Sequence, residues 1–470
     1  MKRFAITAVL LTLACRLTGV AQPAPGLPLS AIPKPNIIFI LADDLGYGDL
    51  GCYGQKRIKT PQLDRMAAEG IRFRSCYAGS TVCAPSRSAL MTGQHTGHTR
   101  IRGNANVPLE PGDVTVAEVL QAAGYRTALI GKWGLGEAGS TGVPNRQGFD
   151  YFFGYLNQHH AHNYYPTFLW RNDEKVPLPN EVPNMDSNGG GVASRYIEYS
   201  HDLFTAEALS FLDRNASRPF FLYLAYTIPH ANNEARDKGM EVPSDAPYAD
   251  ETWPQPEKNK AAMITRLDAD IGKLAAKLKD LKIDENTIVF FSSDNGPHKE
   301  GGNSPGFFDS SGSLRGIKRD LYEGGIRVLM MVRWPGKIKA GLVSDQIWAF
   351  WDFLPTAAAI AGTTPPARLD GISMLPALLG KEQTAHDFLY WEFHEGGSKQ
   401  AVRMGDWKAV RPGPGQPLEL HRLSADLGET NNVAAAHPEI VAQIEEYLKT
   451  ARTESEHWPM RAGQKVKAVR

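Results

Sequence analysis

An alternation of apolar runs with amphipathic segments constrains the fold of this chain more than any other feature. The run from Asn36 to Leu41 is almost continuously hydrophobic, which is typical of a strand covered on both faces of a sheet. A second such run, Thr287 to Phe291, directly follows a segment with apolar residues at helical spacings of four and three. Regular alternation of this kind predicts a mainly parallel sheet with helices on both faces.

The C-terminal part of the chain has a different pattern. From about Phe388 it shows short strand-like pieces around Gly405-Asp406, followed by a helical pattern that begins at Pro438. This predicts a small antiparallel sheet with one helix. We therefore expect an α/β protein with a large sheet domain over residues 36–385 and a C-terminal α+β subdomain over residues 386–470.

The first 35 residues predict export. Two basic residues precede an apolar run that ends at Leu13, and small residues stand directly before Gln22, as in a cleaved signal peptide. We predict a signal peptide over residues 1–21 and a proline-rich linker over residues 22–35, and therefore a periplasmic or secreted protein. No later window is long and apolar enough to predict a transmembrane segment. Cys15 leaves lipid anchoring open.

Charge and cysteine content limit the partners and the disulfides. Lysine plus arginine and aspartate plus glutamate both total 51, so no overall charge attracts nucleic acid, and we expect none as a partner. Beyond the predicted signal three cysteines remain, Cys52, Cys76 and Cys83, which is an odd number for an exported chain. At least one is therefore expected to be free, and pairing of Cys52 with Cys76 stays open.

Two pairs of oxygen-bearing side chains follow apolar strands. Asp43-Asp44 comes after the first predicted strand, and Asp294-Asn295 comes after a later one. Ligands of open α/β sheets bind at the carboxyl ends of strands, so the two pairs can meet in space. Each pair alone could be a turn or a helix cap. Together they offer only oxygen ligands, which predicts a hard cation, with Ca²⁺ favoured over Mg²⁺.

The segment from Val82 to Gly93 predicts a helix with a reactive group at its start. Pro85 suits an early helical position and Gly93 suits the C-terminal stop, so Cys83 is expected at the helix N-terminus. Backbone N–H groups there favour an anion and lower the pKa of a thiol, and Arg87, one turn on, adds positive charge. The alternative is that Cys83 is a small core residue.

The run Cys83-Ala84-Pro85-Ser86-Arg87 resembles the C-x-P-S-R signature of type I sulfatases, in which the cysteine is oxidised to formylglycine after translation. Five further segments match motifs of that family, in its order: Asp43-Asp44-Leu45-Gly46, Gly131-Lys132-Trp133, Pro229-His230, Asp294-Asn295-Gly296 and Leu314-Arg315-Gly316-Ile317-Lys318. These segments spread over nearly the whole predicted sheet domain. The chain is therefore identified as a sulfatase-like member of the alkaline-phosphatase-like fold class.

The resemblance implies a sulfuric ester hydrolase that acts on sulfate monoesters. A separate maturation enzyme would convert position 83 to formylglycine, whose hydrate attacks sulfur with one hydroxyl and expels sulfate with the other. The resemblance also implies Ca²⁺, which would bind a sulfate oxygen and favour the ionised nucleophile. Its ligands would come from five positions: Asp43, Asp44, Cys83, Asp294 and Asn295.

Four basic residues receive catalytic roles by the same resemblance. Arg87 would steady the formylglycine, while Lys132, His230 and Lys318 would bind the sulfate. Either His230 or Lys318 would protonate the leaving oxygen, because an unprotonated alkoxide is a poor leaving group. The run Glu323-Gly324-Gly325-Ile326-Arg327 also matches the family, but we interpret its two charged residues as a structural pair and leave them out of the catalytic set.

One motif departs from the family pattern. Many members carry a histidine two residues after the motif lysine, whereas this chain has Gly134, so the usual partner of the formylglycine hydroxyl is missing there. The segment from Asn157 to Pro166 carries three of the 13 histidines. We predict that His162 reaches back to position 83, because an imidazole can donate or accept near neutral pH. A surface cluster, a zinc site and substrate contacts are the alternatives.

The motifs do not define the alcohol part of the substrate. Export would place the enzyme where polysaccharide fragments arrive, so sulfated carbohydrate is the expected substrate, with aryl sulfates as artificial ones. Four aromatic residues could stack on sugar rings, and burial in the core is the alternative for each: Tyr164, Tyr165, Trp170 and Trp391. Two other functions stay open. One is a phosphatase or phosphotransferase of the same fold, with a Ser or Thr nucleophile, and the other is a carbohydrate-binding protein that never receives the oxidation.

Overall fold

The large sheet contains eleven strands in the part of the chain that the computed structural model describes, which is residue 1 and residues 34–462. The strands are β1 Asn36–Ala42, β2 Ile71–Tyr77, β3 Arg126–Lys132, β4 Tyr151–Tyr155, β5 Phe168–Arg171, β6 Glu174–Pro177, β7 Phe220–Ala225, β8 Thr287–Ser293, β9 Arg327–Arg333, β10 Leu342–Ser344 and β11 Trp348–Ala349. They follow the order β10-β2-β9-β8-β1-β7-β3-β4-β5-β6, and β11 pairs with β2. The predicted signal peptide and the linker as far as residue 33 lie outside the described residues.

The centre of the large sheet is parallel and its flanks are mixed. Five neighbouring strands, β8-β1-β7-β3-β4, run parallel. On one side β9 is antiparallel to both β8 and β2, and on the other side β4, β5 and β6 pair antiparallel in succession. The predicted parallel sheet is therefore confirmed for its centre, and antiparallel pairing extends it at both sides.

Helices cover both faces of the large sheet. Those within residues 34–462 are α1 Pro61–Glu69, α2 Cys83–Thr92, α3 Val116–Ala122, α4 Ser200–Asn215, α5 Gln255–Asp280, α6 Glu323–Ile326, α7 Phe353–Ala361, α8 Leu375–Leu378 and α9 Pro438–Leu448. Side chains of α1, α4 and α5 join one hydrophobic core, and those of α2, α3 and α7 join another. β1 supplies Ile38 and Ile40 to the first core and Ile37, Phe39 and Leu41 to the second. The prediction that this strand is covered on both faces is confirmed.

A second sheet of four antiparallel strands forms the C-terminal part. These strands, called the C-terminal sheet below, are β12 Leu389–Phe393, β13 Lys399–Met404, β14 Trp407–Arg411 and β15 Glu419–Arg422. One face packs on α9, with Val402 and Ile444 in one cluster. The other face packs on the large sheet unit, where Trp391 joins Tyr77 and its Nε1 donates a hydrogen bond to the backbone oxygen of Ala78 at 2.9 Å. The predicted small sheet with one helix is confirmed, and the division into two domains stays a prediction.

The described cysteines and helices bear on two further expectations. Cys52, Cys76 and Cys83 are all free thiols, so the pairing of Cys52 with Cys76 that the sequence left open does not occur in this structure. Among residues 34–462 no helix has the length and apolar character needed to cross a membrane.

Candidate active site

Two adjacent strands bring the acidic pairs together. β1 and β8 are parallel neighbours in which Ala42 lies opposite Ser293, so the residues that follow them lie side by side. The backbone N–H of Asp44 donates to Asp294 Oδ1 at 3.0 Å, and Asn295 Nδ2 donates to Asp44 Oδ1 at 2.6 Å. Both pairs are fully buried. The carboxyl end of the parallel strands therefore carries a buried cluster of oxygen atoms.

Cys83 lies at the start of α2, as predicted, and its Sγ is 3.3 Å from Asp43 Oδ1. The helix begins two residues before Pro85 and ends at Thr92, and the next residue, Gly93, has φ 69°, the left-handed conformation of a C-terminal stop. Burial and the nearby Asp43 carboxylate raise the pKa of the Cys83 thiol well above its ordinary value. The expectation of a lowered thiol pKa is therefore wrong, because the loss of hydration outweighs the backbone donors of the helix N-terminus.

Arg87 connects the nucleophile helix with the acidic cluster. Its Nε and Nη2 donate to Asp294 Oδ2 at 3.1 and 2.8 Å, and its Nη1 donates to the backbone oxygen of Lys132 at 2.8 Å. The guanidinium is fully buried. Two hydrogen bonds to one carboxylate oxygen and one to a strand end hold α2 against β3 and β8.

Two lysines lie against the remaining carboxylates. Lys132, the last residue of β3, donates to Asp43 Oδ2 at 2.6 Å, and Lys318 donates to Asp44 Oδ2 at 2.8 Å. Burial favours loss of the proton from each lysine, but the carboxylates outweigh it and raise the pKa of both ammonium groups. The site therefore presents two fixed positive charges next to Cys83, which suits a tetrahedral oxyanion.

His230 lies against Lys318 in a defined tautomer. Its Nδ1 is 2.7 Å from the backbone oxygen of Ala231, so Nδ1 carries the hydrogen, and Lys318 Nζ is 3.2 Å from its Nε2. Burial and the charge of Lys318 lower the pKa of His230 well below its ordinary value. The imidazole therefore accepts at Nε2, and the ammonium group of Lys318 is the donor of this pair.

The side chains at the strand ends fit a hard cation. Asn295 Oδ1 is buried and has no hydrogen-bond partner among the described residues, and an acceptor left in that state is costly. Burial and the charge of Asp43 raise the pKa of Asp294, which reflects repulsion within the cluster. Asp44 also has a left-handed backbone (φ 64°), a strain that is typical of functional sites. A Ca²⁺ ion among these oxygens would satisfy the orphan acceptor and offset the repulsion.

Softer ligand atoms lie near the same carboxylates. One atom each of Asp43, Asp44, Cys83 and His230 lies within 4.8 Å of the others. However, Nε2 of His230 already accepts from Lys318, and burial favours the protonated Cys83 thiol. The oxygens therefore remain the better candidate ligands, and the predicted metal site stays a prediction.

His162 contacts His230. The two rings stack with centroids 5.0 Å apart and planes 14° apart, and His162 Nδ1 lies 3.2 Å from Glu234 Oε1. No hydrogen bond joins His162 to Cys83 within residues 34–462. The predicted approach of His162 to position 83 stays a prediction, and the structure adds a contact with the predicted sulfate-binding histidine.

Two residues near the site were not predicted. The ring of His298 stacks on His230 with centroids 5.7 Å apart, and its Nε2 donates to the backbone oxygen of the residue before His230. Asn104 Oδ1 accepts from the backbone N–H of Ala84 at 3.1 Å and so caps the first turn of α2. His298 follows the Asp294-Asn295-Gly296 motif by two residues, and this proximity is the only indication in the sequence that it lies near the site. No sequence pattern indicates that Asn104 lies there.

The aromatic residues predicted to stack on sugars are mostly inside the protein. Tyr164 and Trp391 are fully buried, and Tyr165 is 5% exposed, so these three cannot present a ring face to a substrate and the expectation is wrong for them. Trp170 on β5 is half-buried. The interpretation of Glu323 and Arg327 as a structural pair agrees with their 3.1 Å ion pair.

A parallel sheet centre flanked by helices, with a buried cluster of oxygens, lysines and one cysteine at its strand ends, defines an alkaline-phosphatase-like hydrolase. The family model for sulfatases matches residues 35–363, and the model described as N-sulphoglucosamine sulphohydrolase, C-terminal, matches residues 314–454. The chain belongs to the sulfatase family, and within it to the type I enzymes, so it is a sulfuric ester hydrolase.

Relatives and solved structures resemble almost the whole chain. N-acetylgalactosamine-6-O-sulfatase of Bacteroides thetaiotaomicron is 31% identical, over 89% of this chain and 93% of that protein. Human arylsulfatase A is 34% identical, over 89% of this chain and 88% of that protein. The crystal structure of Ps i-CgsB in complex with k-i-k-neocarrahexaose has 29% identity and a TM-score of 0.76, and it covers 91% of this chain and 95% of that one.

Proposed function

We propose that this sulfatase hydrolyses sulfate monoesters of carbohydrates, and that it also accepts aryl sulfates. The observation that carries the proposal is the convergence of a buried oxygen cluster and three basic side chains on Cys83 at the start of α2. The carbohydrate part is supported by the similarity to a sulfatase named for N-acetylgalactosamine 6-O-sulfate and to a structure that contains a neocarrahexaose. The predicted signal peptide supports a periplasmic or secreted location.

The reaction would depend on two groups that the chain acquires. Formylglycine made from Cys83 supplies a hydroxyl nucleophile when hydrated, and Ca²⁺ held by Asp43, Asp44, Asp294 and Asn295 supplies positive charge for a sulfate oxygen. The unmodified thiol is a poor substitute, because burial and the Asp43 carboxylate favour its protonated form. Conversion by a maturation enzyme is therefore part of the proposal.

The basic residues of the chain would bind the sulfate and move one proton. Lys132 and Lys318, which lie against Asp43 and Asp44, would balance the charge of the sulfate group. Lys318 would give the proton to the leaving oxygen, because its ammonium group is the donor toward His230 Nε2. His230 would orient that ammonium group, and His162, stacked on His230, would fix the ring.

Arg87 would fix the position of α2 relative to Lys132 and Asp294. Its guanidinium is held by Asp294 and by the backbone of Lys132, so a change in the position of α2 would move the nucleophile relative to both. Positioning of this kind accounts for a large share of the rate that enzymes gain. Arg87 is therefore proposed to act by holding residue 83 at the metal side of the site.

Mass spectrometry of one tryptic peptide tests the proposal. Cleavage after Arg74 and Arg87 releases a peptide that contains both Cys76 and Cys83. In protein purified from its natural host, alkylation is expected to modify Cys76 alone, because position 83 would be an aldehyde. Cys76 is thus an internal control for alkylation within the same peptide. An active preparation in which both positions take the alkyl group would contradict the formylglycine mechanism.

A further inference from the structure

The space beside Gly134 is filled by a side chain from another part of the chain. Gly134 stands two residues after Lys132 and has a left-handed backbone, with φ 81°. A Cβ atom at this position would lie 2.1 Å from Nε2 of Gln158. This is well inside van der Waals contact, so the amide end of Gln158 occupies the volume that a side chain at position 134 would take.

The amide nitrogen of Gln158 has no partner among the residues that the structure describes. Nε2 is buried and makes no hydrogen bond to any residue in the described part of the chain. A buried N–H group without an acceptor is unfavourable, because it has lost its hydrogen bonds to water and gained none in return. A bound ligand with an acceptor oxygen would supply one.

Gln158 also lines a cavity that shares the residue Asn104 with the first turn of the nucleophile helix. The cavity has a volume of about 540 Å³, and its wall includes Asn104, Gly134, Asn157 and Asn188. Asn104 is the residue that accepts from the backbone N–H of Ala84, directly after Cys83. A space of this size with amide groups on its wall suits a polar organic group such as a sugar ring. The cavity thus lies beside the backbone that follows Cys83.

We propose that Gln158 is a catalytic residue that donates a hydrogen bond from Nε2 to the ester oxygen of the bound sulfate monoester. The inference deepens the proposed function and rests on it. Gln158 forms no covalent bond and gives up no proton: the oxygen–sulfur bond breaks with its electron pair on the ester oxygen, and Lys318 supplies the proton. The amide side chain fills the space that the missing histidine leaves at position 134, but its proposed partner is the ester oxygen and not the formylglycine hydroxyl.

The proposal predicts a dependence on the leaving group. A neutral donor stabilises the negative charge that develops on the ester oxygen in the transition state. That charge matters most when the alcohol is weakly acidic, because the departing oxygen then holds its charge poorly. Loss of the donor must therefore harm esters of weakly acidic alcohols more than esters of acidic ones.

The test compares Gln158→Met with the wild-type enzyme on two aryl sulfates. Methionine keeps the length and bulk of the side chain but has no N–H group. We expect kcat/KM for phenyl sulfate to fall about tenfold or more, as for loss of one hydrogen bond to a charged group. For para-nitrophenyl sulfate, whose phenol is much more acidic, we expect a fall of less than about threefold. Gln121→Met, the same change at an exposed glutamine on α3, is the matched control and should leave both values unchanged.

A second variant approaches the same contact from the other side. Gly134→Ala places a Cβ where Gln158 Nε2 lies, so it should displace the intact amide. Like Gln158→Met, it should therefore lower kcat/KM more for phenyl sulfate than for para-nitrophenyl sulfate. If Gln158→Met does not fold, Gly134→Ala tests the role of Gln158 by itself. Equal losses on both substrates, or no loss on either, would overturn the role of Gln158 while leaving the proposed function in place. A wild-type enzyme, with position 83 oxidised, that cleaves neither ester would overturn both proposals.

Discussion

Replacement of Lys408 by methionine should destabilise the protein strongly. Lys408 lies on β14 with its side chain fully buried, and its Nζ donates to Glu323 at 3.1 Å and to Glu429 at 3.3 Å. Glu323 also pairs with Arg327 at 3.1 Å and accepts from the hydroxyl of Tyr77 at 2.6 Å. Methionine keeps the aliphatic volume but leaves two buried carboxylates without their shared cation.

Two physical arguments give the size of the effect. Burial raises the pKa of Glu323, but Lys408 and Arg327 outweigh it and hold that pKa at about 2, against an ordinary 4.5. A shift of this size in a fully buried group corresponds to about 3 kcal/mol of stability at neutral pH. Removal of one partner from a buried ion pair costs about 3–5 kcal/mol in general. We therefore expect the free energy of unfolding to fall by about 3 kcal/mol or more.

The loss should depend on pH with a definite sign. The folded-state pKa of Glu323 lies below its unfolded value, so its contribution is present above about pH 4.5 and disappears as the pH falls toward 2. Burial and the charge of Glu323 raise the pKa of Glu429, and without Lys408 both carboxyl groups should take up protons more readily. The difference between wild type and Lys408→Met should therefore be largest near neutral pH and smaller in mild acid.

Urea unfolding, followed by far-ultraviolet circular dichroism near pH 7 and again in mild acid, measures the difference. Lys449→Met removes an exposed lysine that pairs with Glu446 on the surface, and as the matched control it should change stability by less than about 0.5 kcal/mol. A loss of under about 1 kcal/mol for Lys408→Met at neutral pH, or a loss that grows in acid, would refute the reasoning. Because the network is structural, the folded variant should keep the wild-type kcat.

Three further predictions concern the site. Cys83→Ala should abolish sulfate-ester hydrolysis while the circular dichroism spectrum and Tm stay close to wild type; substantial residual turnover would falsify the assignment of the nucleophile. Chelation should remove activity and also lower Tm, because the clustered carboxylates repel without the ion, and Ca²⁺ should restore both. Asp294→Ala should remove activity, because it deletes one of the proposed ligands of the ion. Full activity of metal-free protein would contradict this. His162→Ala should lower kcat by on the order of a hundredfold with KM little changed. A change in KM alone would instead indicate that His162 binds substrate, and unchanged kcat and KM would refute a role of His162 in catalysis.

Patterns within short segments of the sequence predicted individual strands and helices, because the formation of such an element depends mainly on residues close together in the chain. The apolar run of β1 predicted a strand buried on both faces, and β1 contributes side chains to the hydrophobic cores on both sides of the large sheet. The antiparallel sides of the large sheet were not predicted. The pairing of β9 with β2 places Arg327 opposite Tyr77, far away in the chain, and a strand pattern does not specify a distant partner or its direction.

The site shows the same division between local signals and contacts that only the folded chain creates. The motif residues around Cys83 were all recognisable, because each motif is a short run with a fixed spacing. The space beside Gly134 was visible in the sequence only as a missing side chain, and its occupant, Gln158, comes from a loop after β4. For Tyr164 and Trp391 the sequence left both burial and stacking on a sugar open, because the identity of an aromatic residue does not distinguish a core from a binding cleft.

The packing of the C-terminal sheet on the large sheet limits how such enzymes can be truncated or fused to a different C-terminal segment. The inner face of the C-terminal sheet shares one cluster with Val82, which directly precedes the nucleophile, and with Ala89 on α2. A gene fragment that ends before β12 would expose this cluster to water beside the reactive residue, and we expect such a truncation to aggregate instead of yielding a smaller enzyme. A grafted C-terminal segment would have to carry a matching inner face, whereas its outer surface beyond α9 is free to change. Diversity among these proteins should therefore accumulate by loop variation more readily than by exchange of the C-terminal sheet.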